Sequence, residues 1–140
     1  GLSTSLRYKQ FTLGMSFRAN IDNYVYNGMG MSTGAWETVS YNNSQLNNLN
    51  TSFLKTGFKT RQYLSDYYVE NASFLKLDNL SLSYNVGKIC KWASLTVSAM
   101  VQNVFTITGY SGTDPEVPNG MDNSFYPRPR TYSLSLGFQF

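Results

Sequence analysis

Three carboxylates, Asp114, Glu116 and Asp122, sit close together in one stretch of chain, and closely spaced acids do two kinds of chemistry. They hold calcium, or they act as the acid and base of glycoside hydrolysis. Calcium takes roughly six to eight oxygens, and nothing around these residues has EF-hand spacing. A glycosidase pair works only at a defined carboxyl separation, which distance along a chain does not set. The expectation is therefore structural: the three acids cap turns and pair with Arg128 or Arg130. The chain has no histidine, which excludes His-based triads, His-containing zinc sites and imidazole acid–base catalysis. Its single cysteine, Cys90, has no partner for an internal disulfide and no metal-ligand spacing around it, and reads as a small inert hydrophobe. No enzyme, metal or cofactor is expected. Recognition is the remaining chemistry. Tyr24, Tyr26, Tyr41, Tyr67, Tyr68, Tyr110 and Tyr126 offer rigid amphipathic surface at little entropic cost. They either stack on sugar rings and contact a partner, or pack loops together. The candidate contact residues are Tyr24, Tyr26, Tyr110, Asp114, Glu116, Asp122, Arg128 and Arg130.

Composition says what kind of scaffold carries them. Charged residues are 14% of the 140, against roughly 25% in soluble domains. Aromatics are 16%, yet mean hydropathy is −0.31. Low charge, many aromatics and abundant Ser, Thr and Asn describe sheets with one apolar and one uncharged polar face. The net charge of +3 comes from scattered Lys and Arg, so no nucleic-acid partner is expected. No apolar run approaches the ~20 residues of a spanning helix. Any membrane crossing is by strands.

The alternation is explicit. Over residues 11–21, Phe11, Leu13, Met15, Phe17, Ala19 and Ile21 share one face, and Thr12, Gly14, Ser16, Arg18 and Asn20 share the other. That length matches the roughly 9–11 residues of a tilted membrane strand. Upstream, Leu2, Leu6 and Tyr8 alternate with Ser3, Ser5 and Arg7, and only Lys9-Gln10 intervene, which predicts a tight hairpin. Leu80, Leu82, Tyr84 and Val86 form another stripe, but Phe74-Leu75-Lys76-Leu77 is out of phase with it. A bulge near Asp78-Asn79 reconciles the two, because one extra residue flips the faces. Leu95, Val97, Ala99, Val101, Phe105 and Ile107 make a fourth stripe; Tyr132, Leu134, Leu136, Phe138 and Phe140 make the last. Arg18, on the polar face, is expected to point into a lumen and pair with a plug or the wall.

The connections between these strands run short (9–10), long (22–73), short (87–94) and long (109–130). Outer-membrane barrels place short turns on the periplasmic side and long loops outside. Aromatics near both ends of the strands fit two interfacial girdles. Within the first long loop, residues 44–55 suggest a short helix with Leu46, Leu49, Phe53 and Leu54 on one side. The fold expected is all-β: about five antiparallel strands from the C-terminal part of a large transmembrane barrel, with long extracellular loops. Five such strands cannot close, and open edges are not tolerated in lipid, so other polypeptide is expected to complete them.

Three motifs carry a family resemblance. Asn71-Ala72-Ser73-Phe74-Leu75-Lys76-Leu77-Asp78-Asn79-Leu80 resembles a stretch of SusC/RagA-type TonB-linked outer-membrane proteins. So does Gln102-Asn103-Val104-Phe105-Thr106, running on to Asp114-Pro115-Glu116. So does Gly120-Met121-Asp122-Asn123 followed by Tyr126-Pro127-Arg128-Pro129-Arg130-Thr131-Tyr132. The clear resemblance covers about residues 67–140. It implies that residues 1–140 are the C-terminal segment of a plugged, 22-stranded-class barrel of the Bacteroidota. It further implies import of glycans, oligosaccharides or peptides across a Gram-negative outer membrane, under a SusD-like surface lipoprotein. The plug and the TonB-contacting region would lie N-terminal to residue 1. It also implies that the stripe Tyr132, Leu134, Leu136, Phe138 and Phe140 is the signal read by the barrel-assembly machinery. A passive structural or adhesive barrel, or a soluble β-rich carbohydrate-binding module, are the alternatives.

Overall fold

The computed structural model describes residues 1–39, 48–123 and 126–140. Its strands are β1 (Leu2–Tyr8), β2 (Phe11–Asn20), β3 (Tyr24–Tyr26), β4 (Val69–Asn71), β5 (Phe74–Cys90), β6 (Ala93–Thr108) and β7 (Thr131–Gln139). Two short helices, α1 (Gly28–Thr33) and α2 (Phe53–Thr56), fall between β3 and β4. Chain contacts separate a sheet unit (Gly1–Asn20, Phe74–Ile107, Arg128–Phe140) from a loop unit (Ile21–Ser73, Thr108–Pro127).

The sheet unit is one five-stranded sheet in the order β1-β2-β5-β6-β7. Neighbours in sequence are neighbours in space, as an up-and-down wall requires. Register follows the alternation. Leu6 pairs with Leu13 and Tyr8 with Phe11; on the far side of β2, Phe11 pairs with Tyr84 and Leu13 with Leu82. β7 lays Leu134, Leu136 and Phe138 opposite Ala99, Val97 and Leu95. The expected bulge is present. Ser16 pairs with Asn79 but Phe17 pairs with Leu77, so Asp78 is the extra residue. Leu75 and Leu77 therefore rejoin the face that carries Leu80, Leu82 and Tyr84, and the apolar surface runs unbroken.

The opposite face is mainly polar, with Phe74 and Met100 as apolar residues on it. The Ser3 and Ser16 hydroxyls lie 3.0 Å apart, and Ser98 donates to Ser83 at 2.8 Å, which fixes the polar sides of β5 and β6 together. Gly14 sits on this face because a Cβ there would lie 2.6 Å from the Ser81 hydroxyl. Arg18 points the same way. Its Nη2 donates to Asp78 Oδ1 at 2.9 Å and its Nε to Oδ2, a bidentate pair within the wall. The bulge thus does two jobs: it resets the apolar stripe and supplies the anion for Arg18. Lys76, in register with Arg18, is 2% exposed, with its ammonium 5.2 Å from the Phe74 ring.

Two expectations change. The short connection placed at 87–94 is a two-residue turn, Lys91-Trp92, between strands that run to Cys90 and from Ala93. Polar Lys88 and Gly87 suggested a loop, but they are the end of a 17-residue strand. The helix read at 44–55 falls partly outside the described residues; what is described is the four-residue α2, ended by Gly57 at φ 59°. Leu46 and Tyr41 lie outside the described residues.

Much of the apolar face is solvent-accessible, with Leu2, Leu6, Tyr8, Leu82, Leu134, Leu136 and Phe138 all exposed. A water-soluble monomer rarely leaves so large a contiguous patch uncovered. No helix among the described residues is long and apolar enough to cross a membrane. The strands are the elements suited to lipid.

Candidate functional site

The loop unit is built on the β3–β4 ribbon, where Tyr24, Val25 and Tyr26 pair with Asn71, Glu70 and Val69. This pairing was not legible in the sequence. Three-residue strands in a long polar stretch have too little periodicity to be seen. Val25, Ala72 and Tyr110 form the buried centre, with Val117 packed against it. The 120–122 segment lies along β3: Tyr26 donates its N–H to the Gly120 carbonyl at 2.8 Å, and Asp122 returns one to Tyr26 at 2.9 Å. The two long connections are therefore one folded unit.

Two polar networks hold it. In the first, the Tyr110 hydroxyl donates to Asp122 Oδ2 at 2.9 Å, and both residues are buried. Burial, then that hydrogen bond, then the charges of Asp122 and Glu70 push the Tyr110 phenol well above its usual range. In the second, buried Asn27 caps α1 by accepting from Gly30 N–H at 2.6 Å. Its Nδ2 donates to Glu70 Oε1 at 2.9 Å and to Ser111 Oγ at 3.0 Å. Ser111 gives its own N–H and hydroxyl to the same carboxylate, at 2.9 and 2.7 Å. Asn27, Glu70 and Ser111 come from three distant stretches. An Asn before Gly-Met-Gly is a helix-cap signal that could have been read; the other two partners carry none.

Beside the second network opens a cavity of about 620 Å³, lined among others by Asn27, Ser52, Lys55, Tyr67, Tyr68 and Glu70. Tyr67 and Tyr68 pack edge to face at 5.1 Å, with Tyr26 against Tyr68 at 6.4 Å and Phe58 against Tyr67 at 5.5 Å. Burial, with Tyr67 and Tyr26 alongside, raises the Tyr68 phenol pKa, so its hydroxyl stays a donor. An aromatic wall with mixed donors and acceptors suits a polar ligand.

The sequence-selected residues divide between the units. Tyr24, Tyr26, Tyr110, Asp114, Glu116 and Asp122 are in the loop unit; Arg128 and Arg130 are in the sheet unit. Tyr24 is exposed, and the Tyr26 hydroxyl accepts from Leu64 N–H at 3.1 Å. The three acids form no common site: Asp114 accepts from Glu116 N–H at 2.9 Å as a turn cap, while Asp122 is engaged by Tyr110. Among the described residues no three His, Cys, Asp or Glu side chains are grouped to hold a metal. Arg130 Nε donates to the Asn103 carbonyl at 3.3 Å, and Asn103 Nδ2 donates to the Arg128 carbonyl at 2.7 Å. Asn103, at φ 53°, thereby ties the entry of β7 to β6. Tyr132, Leu134, Leu136, Phe138 and Phe140 are all exposed, and Cys90 is exposed at the end of β5.

An antiparallel wall with an uncovered apolar face, a polar face carrying a bidentate ion pair and long connections folded together is a section of a transmembrane β-barrel. The barrel is not closed by these strands. No family model matches the chain. It is 37% identical to the TonB-dependent receptor SusC of Bacteroides thetaiotaomicron over the whole chain, which is 15% of that protein. It is 28% identical to the TonB-dependent receptor P3 of Formosa agariphila, again over the whole chain and 16% of that protein. The fold matches the RagAB peptide transporter structure with a TM-score of 0.75 at 22% identity, covering 96% of this chain and 16% of that one. The RagAB peptide importer in its open-open state gives 0.73 over 99% of the chain, also at 22% identity. The chain belongs to the SusC/RagA-type TonB-dependent receptors, and it spans about a sixth of their length.

Proposed function

We propose that this chain is the C-terminal wall section and outer loops of a TonB-dependent importer in the outer membrane of a Gram-negative bacterium. The cargo is a glycan, oligosaccharide or peptide, moved without chemical change by a protein that is not an enzyme. The observation that carries the reading is the sheet unit itself: strands with one lipid-compatible face, joined by alternately short and long connections. The loop unit, on the side of the long connections, is the part that meets cargo or a SusD-like surface lipoprotein. The RagAB and SusC relatives support that pairing. The remaining strands and plug would complete the wall, and TonB would act through the plug region. The unpaired edge of β7 is where the barrel-assembly machinery would hold the strand by augmentation.

The exposed apolar face argues against the soluble carbohydrate-binding module. Against a passive or adhesive barrel, the test is uptake. Intact cells carrying the complete receptor are treated with trypsin, which should cut after exposed Lys55 or Lys59 and abolish TonB-dependent cargo uptake while the barrel remains in the membrane. Cutting after Lys88 or Lys91 instead would invert the topology. Undiminished, TonB-independent uptake would leave the passive barrel.

A further inference from the structure

Charge is segregated between the two units. Of the eight acidic residues, all but Asp78 lie in the loop unit, whereas eight of the eleven basic residues lie in the sheet unit. At the short-turn end of the sheet the segregation is complete. Lys9 occupies the β1–β2 turn and Lys91 the β5–β6 turn, with Lys88 near the end of β5, all three exposed. The sheet's one carboxylate, Asp78, is engaged at the bulge with Arg18. The lysines sit beside aromatics. The Lys9 ammonium is 5.4 Å from the Tyr8 ring, and Trp92, next to Lys91, is 80% exposed. Chain order places them on the short-turn side of the aromatic line. Tyr8 pairs with Phe11 and Phe11 with Tyr84, while Phe138 pairs with Leu95. Lys9 follows Tyr8 directly, and Lys88 lies four residues past Tyr84 along β5.

Aromatic rings at a membrane boundary with ammonium groups beyond them are arranged for lipid headgroups: the rings settle among glycerol and carbonyl groups and the lysines reach outward. Three ammonium groups with no acidic side chain among them complement negative charge. We propose that Lys9, Lys88 and Lys91, with Tyr8 and Trp92, form a binding site for anionic phospholipid headgroups in the periplasmic leaflet. This rests on the orientation proposed above. It adds a lipid contact to a receptor whose loop unit carries a net negative charge. The site holds this edge of the wall at a defined depth, because the lysines stop the sheet from sliding toward the hydrocarbon.

The test uses the complete receptor, stripped of lipid in detergent and titrated with equimolar phosphatidylglycerol and phosphatidylethanolamine. Bound lipids are counted by native mass spectrometry. The native protein should retain phosphatidylglycerol preferentially. Each lysine near an anionic surface contributes roughly fivefold, so Lys9→Gln/Lys88→Gln/Lys91→Gln should weaken retention by up to about 100-fold. Lys55→Gln/Lys59→Gln, in the loop unit, should leave it unchanged; heat-modifiable gel mobility verifies that both variants are folded. Equal retention by the native and triple-variant proteins overturns the proposal, as does an equal loss in both variants. Cys90, exposed in the same hairpin, reports orientation separately. A membrane-impermeant maleimide should label it, relative to a Cys90→Ser control, only after the outer membrane is permeabilised. Labelling in intact cells would refute the orientation whatever the lipid count.

Discussion

Leu136 and Ser135 are adjacent in β7 and differ in the face they occupy, so arginine at each tests the wall reading directly. Leu136 pairs with Val97 on the apolar face and is 60% exposed there; Ser135 pairs with Ser98 on the polar face. β7 runs from Thr131 to Gln139, so Ser135 is its central residue and Leu136 lies about 3 Å further along. Both positions are thus near mid-membrane, and depth does not distinguish them. Arginine facing lipid at that depth costs about 2–4 kcal/mol, whereas a lumen-facing position tolerates charge. Leu136→Arg should shift the folding equilibrium by roughly 30-fold to 1,000-fold, at about 1.4 kcal/mol per factor of ten. Ser135→Arg should shift it little. The assay is urea unfolding of the complete receptor in lipid vesicles, read by heat-modifiable gel mobility. Leu136→Ala separates lost apolar contact from the cost of the charge. A Ser135→Arg penalty equal to or larger than that of Leu136→Arg would refute the assignment of faces.

Three further outcomes follow from the loop unit and the bulge. Tyr110→Phe removes the donor from buried Asp122 and should destabilise the loop unit by about 1–3 kcal/mol, seen as faster amide exchange at Val25 and Ala72 with the sheet unaffected. The same phenol predicts alkaline sensitivity. Its folded pKa is raised, so its stabilisation is complete below pH ~10, where the unfolded tyrosine is also protonated, and declines as pH rises above that value. Proteolysis of the loop unit should therefore accelerate above pH ~10 in the native protein and much less in Tyr110→Phe; equal acceleration in both would remove Tyr110 as the cause. Inserting one glycine after Asp78 should place Leu75 and Leu77 on the face opposite Leu80 and Leu82, because the bulge takes up only one extra residue. Folded barrel recovered in the outer membrane should fall sharply, and normal recovery would show that the phase of the apolar stripe is not required.

The wall was legible because its determinants are local. Side chains alternate with period two, so Phe11 to Phe17 and Tyr132 to Phe138 declare both strand and face without reference to any neighbour. The phase break between Leu77 and Leu80 even located the bulge to within a residue. The misreading at 87–94 has the same physical root. Beyond Val86 the apolar stripe ends, and Gly87 with Lys88 looks like a turn, although the strand continues to Cys90.

The loop unit was illegible for the opposite reason. Its order comes from single long-range partners: Glu70 accepting from Asn27 and Ser111, Asp122 accepting from Tyr110. None of these pairings is written in a repeat. The acids selected for their proximity in sequence, Asp114, Glu116 and Asp122, do not converge. Glu70, which gathers three donors, was passed over because its partners lie 41 and 43 residues away. That difference bears on function. Lipid imposes one rule on every strand of a barrel, so the wall is common to many receptors whatever they carry. Loop folding answers to no such rule, and each buried polar partner must be found individually or left unsatisfied at a cost. A cavity bounded by Asn27, Glu70, Tyr67 and Tyr68 can therefore change shape between relatives through a few substitutions while β1, β2, β5, β6 and β7 stay as they are. Cargo selectivity is expected to reside there and not in the wall.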